Sequence, residues 1–446
     1  MTKQAFHHAL KIDKDLCIGC ANCMRVCPTE AIRVREGKAN LEANRCIDCG
    51  ECYRHCPVNA IIIEQDDFTN IHNFQYRVAL VPSIFFGQFP EDVQTEEIHS
   101  SLKQQGFTHV FEVENSTEIV WRKQQEELKN QENTRPLISA FCPAIVRLIQ
   151  VKFPSLIPNL LSIKPPLDVS ALYFKKKLID QGITEDKIGI FYITQCAAKI
   201  AAIKSPVGED KSAIDGVINM DYLYNKVFTF IKQHNNDRCA LPDRQHLSSR
   251  DILWSLTNGE KDHNGQRSLA IDGINNVMAI LERVENEEMS NIDFLELRAC
   301  DESCAGGVLT SGNRFLTVER MRNRAENATE QKNEEFLSYR DYLLNNITIG
   351  PVEPRSMMKL DNDLSIALRK MRQVQMTMER LPRVDCTVCG APSCRALAED
   401  IVQGKASIND CIFIQKRKEQ KELMSKEESL EIMKSIWGKP KLDKNR

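Results

Sequence analysis

The sequence has no long hydrophobic segment. No uninterrupted apolar run approaches the roughly 18 residues of a transmembrane helix, and the N-terminal stretch MTKQAFHHALKIDKD lacks the apolar core of a signal peptide. An excess of charge of one sign is also missing, since 59 basic residues stand against 62 acidic ones. No overall field therefore draws the chain toward nucleic acid or an anionic membrane. We expect a soluble, cytoplasmic protein that partners with neither.

Histidine offers no metal site, because none of the 9 histidines has ligand spacing to a cysteine group. Cysteine is abundant instead, at 17 residues. Cytosolic thiols are kept reduced, which argues against disulfides, and the tight clustering of these cysteines indicates metal binding. A chain of 446 residues is too long for one ordinary core, so two to four domains are expected.

Two N-terminal segments repeat one cysteine pattern. CIGCANCMRVCP, which begins at Cys17, and CIDCGECYRHCP, which begins at Cys46, both read C-x2-C-x2-C-x3-C-P. This is the bacterial ferredoxin run, in which the fourth cysteine of each motif ligates the other 4Fe–4S cluster. The predicted ligand sets are Cys17, Cys20, Cys23 and Cys56 for one cluster, and Cys46, Cys49, Cys52 and Cys27 for the other. Structural zinc fits this compact double motif poorly.

A third cysteine group lies near the C-terminus, in DCTVCGAPSCRALAEDIVQGKASINDC. Its spacing reads C-x2-C-x4-C-x16-C, and its members are Cys386, Cys389, Cys394 and Cys411. Ser393 or Pro392 is expected to open a helix that Gly404 ends. The spacing suits a small helical 4Fe–4S domain, and a tetrahedral zinc site remains open.

Two kinds of sequence pattern alternate in the central region. Short β-rich apolar runs (YRVALVPS, HVFEV, RPLISAF, KIGIFYIT) are separated by helical patterns such as STEIVWRKQQEELKN. This alternation predicts an α/β domain with a parallel sheet. Ligands of such sheets bind at the carboxyl ends of strands. Cys142, Cys196 and Cys300 each follow such a run, and Cys304 comes one short turn later, so we predict a fourth site from distant segments.

These segments resemble a known family. SAFCPAIVRLIQVKFPSL, ITQCAAKIAAIKSPVG, AIDGVINM and ACDESCAGG are similar to the signature segments of the FeFe-hydrogenase catalytic domain, with its sensory or regulatory branch the better match. The resemblance implies an H-cluster, in which a 4Fe–4S cubane is joined through a thiolate to a diiron unit. It assigns Cys142, Cys196 and Cys300 to the cubane and Cys304 to the bridge. Lys199 matches the family lysine that hydrogen-bonds a diiron cyanide.

The sequence departs from the family at three places. Phe141 replaces the cysteine that relays protons in prototypical enzymes, and it has no titratable group. Thr194-Gln195 stands where the family has Met-Pro or Ser-Pro. Asp301-Glu302-Ser303 replaces Pro-Gly-Gly, and two carboxylates beside an anionic cluster disfavour its reduction. Asp301 or Glu302 is therefore either a substitute proton relay or a change tolerated because the diiron unit is lost or turnover no longer matters.

These patterns divide the chain into five segments. We expect a small α+β ferredoxin module over residues 1–68, a hydrogenase-like domain over 72–350, a linker helix over 351–381, the 4Fe–4S domain over 382–415 and a charged amphipathic tail over 416–446. Residues 236–266 are polar and turn-rich and are predicted to be an insertion or loop, with Cys239 a free thiol. The tail helix is expected to be a docking or dimer element, or a solvated end.

Three functions remain open on these grounds. The first is a low-turnover hydrogen or redox sensor, which exchanges electrons with a ferredoxin-like carrier and signals through a partner protein or a homodimer. The second is a polyferredoxin-like electron-transfer protein that keeps the cubane and has lost the diiron unit. The third is an active ferredoxin-linked hydrogenase with a rerouted proton path.

Overall fold

The computed structural model describes residues 6–130, 134–234, 247–264, 267–328, 333–355, 360–361 and 363–442. Two compact units share the chain. The large unit comprises Met1–Ala9 and Glu64–Pro354, and the small unit comprises Leu10–Ile63 and Arg355–Arg446. Cys239 lies outside the described residues. Within them, no helix is long and apolar enough to cross a membrane.

The N-terminal part of the small unit consists of two antiparallel strand pairs and two short helices. The strands are β1 Leu10–Ile12, β2 Ile32–Arg35, β3 Lys38–Leu41 and β4 Ile61–Ile63, and the helices are α1 Asn22–Arg25 and α2 Glu51–Arg54. Strand β1 pairs with β4, and β2 forms a hairpin with β3. Both helices are four residues long, and each contains one predicted cysteine ligand, Cys23 in α1 and Cys52 in α2.

The large unit is an α/β structure, as predicted. Its strands are β5 Tyr76–Val81, β6 His109–Glu112, β7 Leu137–Ile138, β8 Ile188–Thr194, β9 Gly216–Asn219, β10 Ser268–Ile271 and β11 Phe294–Leu297. They form two sheets, with orders β6-β5-β8-β9 and β10-β11-β7, and every pairing is parallel. Each residue of β8 is buried, so both faces of this sheet are covered.

Helices cover these sheets and connect their strands. They are α3 Ser83–Phe86, α4 Thr95–Gln104, α5 Thr117–Asn130, α6 Pro143–Lys152, α7 Pro166–Asp180, α8 Ala197–Lys204, α9 Met220–Gln233, α10 Ser249–Leu253, α11 Ile274–Glu285, α12 Arg314–Glu326, α13 Glu334–Ser338 and α14 Arg340–Asn346. Helix α6 follows β7, and α8 follows β8, so two strand-to-helix junctions lie at carboxyl ends of strands.

The prediction of an insertion or loop over residues 236–266 holds only in part for the residues that the structure describes, which are rich in turns but not confined to the surface. Residues 247–264 contain α10 and contribute Trp254 and Glu260, both fully buried. Ser248 caps α10 through its hydroxyl, which accepts a hydrogen bond from the Asp251 N–H. The polar composition suggested a surface loop, but several of its polar groups cap a helix or form hydrogen bonds in the interior.

The C-terminal part of the small unit is helical. Its helices are α15 Leu364–Arg380, α16 Cys394–Val402, α17 Ile412–Gln420, α18 Lys426–Trp437 and α19 Lys439–Leu442. Ser393 caps α16 by accepting a hydrogen bond from the Ala396 N–H. Helix α18 packs against the β2–β3 hairpin, where the N–H groups of Glu36 and Gly37 donate to carbonyls at its end, at 3.0 and 2.9 Å. The tail helix thus docks within its own chain.

Buried ion pairs join the two sequence-distant parts of the small unit. Arg33 donates to both carboxylate oxygens of Asp400, at 2.7 and 3.3 Å, and Arg35 donates to Asp400 at 3.0 Å. Arg45 pairs with Glu399 nearby. Because the Arg33 and Asp400 side chains are both almost completely buried, this link is hydrogen-bonded on several sides, as a buried pair requires.

Candidate metal centres

Each of the two N-terminal cysteine sets converges on its own site. As the motif predicts, the fourth cysteine of each motif joins the set of the other motif. Cys17, Cys20, Cys23 and Cys56 line one small cavity. The thiols of Cys27, Cys46, Cys49 and Cys52 interact electrostatically as a second group. Burial raises the pKa of Cys23 to about 12, with Cys20 and Cys17 adding to the shift. Thiolates at such a position need a cation beside them, and a bound metal supplies it.

The backbone around these cysteines repeats with the sequence. Left-handed backbone conformations occur in pairs that have the same offset as Cys17 and Cys46, at Gly19 and Asp48, at Ala21 and Gly50, and at Glu30 and Asn59. They turn N–H groups toward sulfur in both halves: the Ala31 N–H donates to Cys27 Sγ, and the Ala60 N–H donates to Cys56 Sγ, each at 3.2 Å. Such N–H to sulfur bonds stabilise a cluster and tune its reduction potential.

The C-terminal set also converges. Cys386, Cys389, Cys394 and Cys411 line one small cavity beside the start of α16. Asp385 fixes the loop by accepting a hydrogen bond from the Cys394 N–H at 2.6 Å. Burial raises the pKa of Cys389 to about 12. Four converging thiols suit the predicted 4Fe–4S cluster, and the alternative of a tetrahedral zinc site uses the same donors.

The central cysteines lie at carboxyl ends of strands in both sheets of the large unit. Cys142 is the N-cap of α6 after β7, and Cys196 is the N-cap of α8 after β8. Cys300 follows β11, and Cys304 lies in the short turn Ser303–Gly306. The thiols of Cys142, Cys196 and Cys304 interact electrostatically, and Cys300 is in the same loop as Cys304. The structure therefore places these strand ends around one point.

Two buried cations stand beside this point, and both contact the ring of Phe141. The Lys199 ammonium lies 4.8 Å from the centroid of the Phe141 ring, and the Arg298 guanidinium carbon lies 3.8 Å from it. Lys199 donates to the Tyr192 hydroxyl at 3.0 Å. Burial acts to lower the pKa of Lys199, but Tyr192 and the neighbouring cysteines outweigh it and raise the pKa above its usual value. The lysine is therefore a buried cation facing thiols.

Arg298 was missed by the sequence analysis. It lies 2.8 Å from Glu260 and 3.3 Å from Glu296, and all three side chains are at most 2% exposed. Its charge also interacts with Cys142 and Cys304. A signal existed, because the segment FLELRAC places an arginine at the end of an apolar strand, two positions before a predicted ligand.

Three side chains near these cysteines each have one buried hydrogen-bonding atom without a partner in the part of the chain that the structure describes. These atoms are Arg298 Nη1, Gln195 Nε2 and Ser255 Oγ. Gln195 adjoins Cys196, and the Ser255 carbonyl accepts the Cys304 N–H at 3.2 Å. Unpaired buried donors are costly. They fit an acceptor-rich anionic group such as an iron–sulfur cluster, whose sulfurs accept hydrogen bonds.

The two acids between Cys300 and Cys304 are placed differently from the buried cations. Asp301 is exposed and pairs with Arg314 at 2.7 Å, with the two side chains 55% and 38% exposed. Glu302 is half-buried in a left-handed conformation, and its carbonyl accepts the Ala305 N–H as the turn begins. The described contacts give each acid a role in shaping or anchoring the loop, and neither acid is connected to Lys199 by them.

An apolar cavity of about 80 Å³ adjoins Phe141 and Lys199 on the side of α7. Leucine, isoleucine, valine and proline side chains line most of it, and Asp168 is among the few polar groups. Burial raises the pKa of Asp168 to about 7, with Glu209 adding to the shift. The space beside Lys199 is therefore lined mainly by apolar side chains.

Three family models match parts of the chain. Residues 75–252 match the C-terminal domain of the iron-only hydrogenase large subunit, residues 9–57 match a 4Fe–4S dicluster domain, and residues 381–413 match a putative Fe–S cluster segment. The chain therefore contains one segment similar to an iron-only hydrogenase domain and two segments similar to iron–sulfur domains. The first match spans Cys142, Cys196 and Lys199, and it ends before Cys300.

Solved structures of FeFe-hydrogenases are among those similar to this chain. A HydA(deltaEFG) structure on stepwise H-cluster assembly has 14% identity and a TM-score of 0.47, with 62% of this chain and 94% of that chain covered. Two HydA1 variants from Chlamydomonas reinhardtii also have 14% identity and a TM-score of 0.47, and each covers 63% of this chain and 94% of its own. Similarity at this level carries no inference about activity. No curated protein matches the chain.

Proposed function

We propose that this protein is a low-turnover redox or hydrogen sensor built on a hydrogenase-like scaffold. In this proposal Cys142, Cys196, Cys300 and Cys304 hold a 4Fe–4S cubane, with or without a diiron unit, in the large unit. Two further clusters occupy the N-terminal cysteine sets and one occupies the C-terminal set. Electrons pass between the central site and these clusters, and such clusters supply one-electron transfer.

The observation that carries this proposal is the buried group of Lys199, Phe141 and Arg298. At the position where the resemblance implies a proton-relaying thiol, the side chain is an aromatic ring that can neither accept nor release a proton. Two cations contact the ring, at 4.8 and 3.8 Å from its centroid, so it is fixed in place. Fast hydrogen turnover needs a proton donor there. A slow site that registers redox state does not.

A second candidate is an electron-transfer protein whose central site holds the cubane alone. It is favoured by the position of the Phe141 ring against the ammonium of Lys199, the residue that the resemblance assigns to a diiron ligand. That ammonium already donates to Tyr192. The ring therefore competes for the space in which a diiron unit would contact Lys199.

Infrared spectroscopy separates the two candidates. The protein is reconstituted anaerobically with iron and sulfide and then supplied with a synthetic diiron precursor. CO and CN bands that shift under hydrogen support the sensor. Silence in that region, with about sixteen irons per chain from four cubanes, supports the electron-transfer protein. A sensor also requires a partner protein whose activity changes with hydrogen or redox state, and no such dependence in reconstituted mixtures would contradict the sensing role.

A further inference from the structure

A polar cleft of about 610 Å³ lies in the small unit, beside the β2–β3 hairpin. Small-molecule sites in proteins have volumes of roughly 300–1,000 Å³, and this cleft falls in that range. Nine residues line it, of which five are basic, three are acidic and one is an asparagine. Since none of these nine is aromatic or aliphatic, the cleft suits a charged ligand and offers no surface for an apolar one.

The sequence of the hairpin creates the positive face of this cleft. Arg33 and Arg35 of β2 lie directly opposite Asn40 and Lys38 of β3, and all four line the cleft. Residues two apart in a strand share a face with each other and with the residues opposite them. Arg35 and Lys38 are therefore a directly opposed pair of like charges, which destabilises a hairpin unless an anion lies nearby.

The three acids of the cleft do not balance its cations. Asp400 accepts from both arginines of β2, at 2.7 and 3.0 Å, and Glu42 accepts from Lys405 at 2.8 Å. The third acid, Glu36, is exposed in the turn of the hairpin. Five basic residues against three acidic ones leave the cleft with two excess positive charges, so its field attracts anions.

The two remaining cations, Lys14 and Lys38, hydrogen-bond to uncharged acceptors. Lys14 donates to the Ala39 carbonyl and to the side-chain oxygen of Asn40, and Lys38 donates to the Cys17 carbonyl at 2.8 Å. Within the residues that the structure describes, neither ammonium lies within 4.0 Å of a carboxylate. The charge of Lys38 also acts unfavourably on the ammonium of Lys14. A bound anion relieves this repulsion, because it contacts both cations.

We propose that this cleft binds a small phosphate-bearing anion through the ammonium groups of Lys14 and Lys38, with the partly exposed guanidinium of Arg35 adding its charge. Charge-assisted hydrogen bonds from lysine are a common means of binding phosphate. Two cations without a carboxylate partner match a compact ligand with at least two negative charges, such as pyrophosphate. A nucleobase has no stacking partner here, because no aromatic side chain lines the cleft.

Anion binding also acts on the cluster assigned to Cys17, and this consequence rests on the proposed function. Lys38 donates to the Cys17 carbonyl, and the next residue, Ala39, donates its N–H to Cys17 Sγ at 3.3 Å. An anion beside these groups disfavours reduction, because reduction adds negative charge nearby. By linkage, a ligand that binds the oxidised protein tenfold more tightly than the reduced one lowers the cluster potential by about 59 mV.

Isothermal titration calorimetry of the full-length, oxidised, reconstituted protein with inorganic pyrophosphate tests the site. We expect one pyrophosphate per chain. Lys14→Gln should weaken binding about tenfold, because a charge-assisted contact is lost while the glutamine amide can still donate to the Ala39 carbonyl. Lys421→Gln is the matched control, since Lys421 is an exposed lysine of the same unit that does not line the cleft. It should change the affinity less than twofold.

Two calorimetric results would overturn the phosphate site: equal affinities of Lys14→Gln and Lys421→Gln, or pyrophosphate binding no tighter than that of citrate. Iron content must stay constant during the titration, so that the heat reports binding and not removal of iron. In spectroelectrochemistry, pyrophosphate should lower the cluster potential of the wild type and not that of Lys14→Gln. An unchanged wild-type potential would overturn the link to the cluster. Clusters that dithionite cannot reduce would contradict the proposed redox function, whereas pyrophosphate binding would still be measurable.

Discussion

Removal of the Arg298 side chain should strongly destabilise the large unit. It stands 2.8 Å from Glu260 and 3.3 Å from Glu296, and burial raises the pKa of Glu296 even with Arg298 opposing the shift. Arg298→Met keeps the length and apolar stem but leaves two buried carboxylates without their cation. Removing one partner of a buried ion pair costs about 3–5 kcal/mol. The loss should grow with pH, because an uncompensated buried carboxylate favours the fold only while it is protonated.

Thermal unfolding of the reconstituted chain, followed by near-ultraviolet circular dichroism, measures this cost. A loss of this size lowers the midpoint by about 10 °C for a unit of this length. Arg314→Met is the control, because Arg314 makes a single pair with Asp301 at the surface of the neighbouring loop. Exposed pairs contribute about 0–1 kcal/mol, so that midpoint should move by no more than about 3 °C. An iron content equal to that of the wild type in the same samples would exclude cluster loss as the cause.

A double variant separates charge from packing. Arg298→Met combined with Glu260→Gln removes one of the stranded carboxylates and should recover part of the lost stability. The amide oxygen introduced by Glu260→Gln can still accept from Ser139 and Gln124, which each donate to Glu260 Oε1 at 2.8 Å. Two results would refute the claim that Arg298 stabilises the unit through its charge. One is an unfolding midpoint of Arg298→Met equal to that of Arg314→Met, and the other is a double variant no more stable than Arg298→Met alone.

Three further predictions concern other buried groups. Burial, and after it the charge of Glu112, raises the pKa of Glu114 from 4.5 to about 7, so between these values the folded state holds a proton that the unfolded state releases. The free energy of unfolding should therefore fall by roughly 3 kcal/mol between about pH 5 and pH 8. Urea titrations of Glu114→Gln should lack that part of the pH dependence. Asp400→Asn should destabilise the small unit by about 3–5 kcal/mol by stranding Arg33, whereas Lys405→Gln, which breaks an exposed pair, should be nearly neutral in the same melts. Phe141→Cys should raise hydrogen turnover after loading with the diiron precursor and Phe141→Ala should not, as measured by gas chromatography; equal rates would show that the missing thiol is not what limits the site.

The convergence of cysteines that are close together in the chain was predictable from their spacing. The N-terminal spacing forces the turns that bring Cys56 to the first set, and the left-handed positions of the first motif recur at the matching positions of the second. The parallel α/β structure followed from apolar runs alternating with helical patterns. The meeting of Cys142 with the Cys300–Cys304 loop was predictable because β7 and β11 are parallel neighbours whose carboxyl ends share an edge. Cys196 follows β8 of the other sheet, so its approach depends on how the two sheets pack, which the sequence does not show.

Side chains whose role depends on tertiary packing were not predictable. The apolar run before Arg298 indicates that the residue is buried, but its pairing with Glu260 becomes apparent only in the folded structure. The polar segment that supplies Glu260 and Ser255 reads as a surface loop, since composition does not reveal which polar groups are paired. The joining of the N-terminal and C-terminal cysteine modules depends on Arg33 and Asp400, which are 367 residues apart and have no local signature.

Iron and sulfide analysis of the anaerobically reconstituted protein, made without a diiron precursor, tests the central claim most directly. Four cubanes predict about sixteen irons per chain, and Cys196→Ser should lower the count to about twelve while the N-terminal clusters keep their electron paramagnetic resonance signals. Cys386→Ser should give the same count through loss of the C-terminal cluster. A wild-type count near twelve that Cys196→Ser leaves unchanged would contradict the account, because the central cysteines would then hold no cluster.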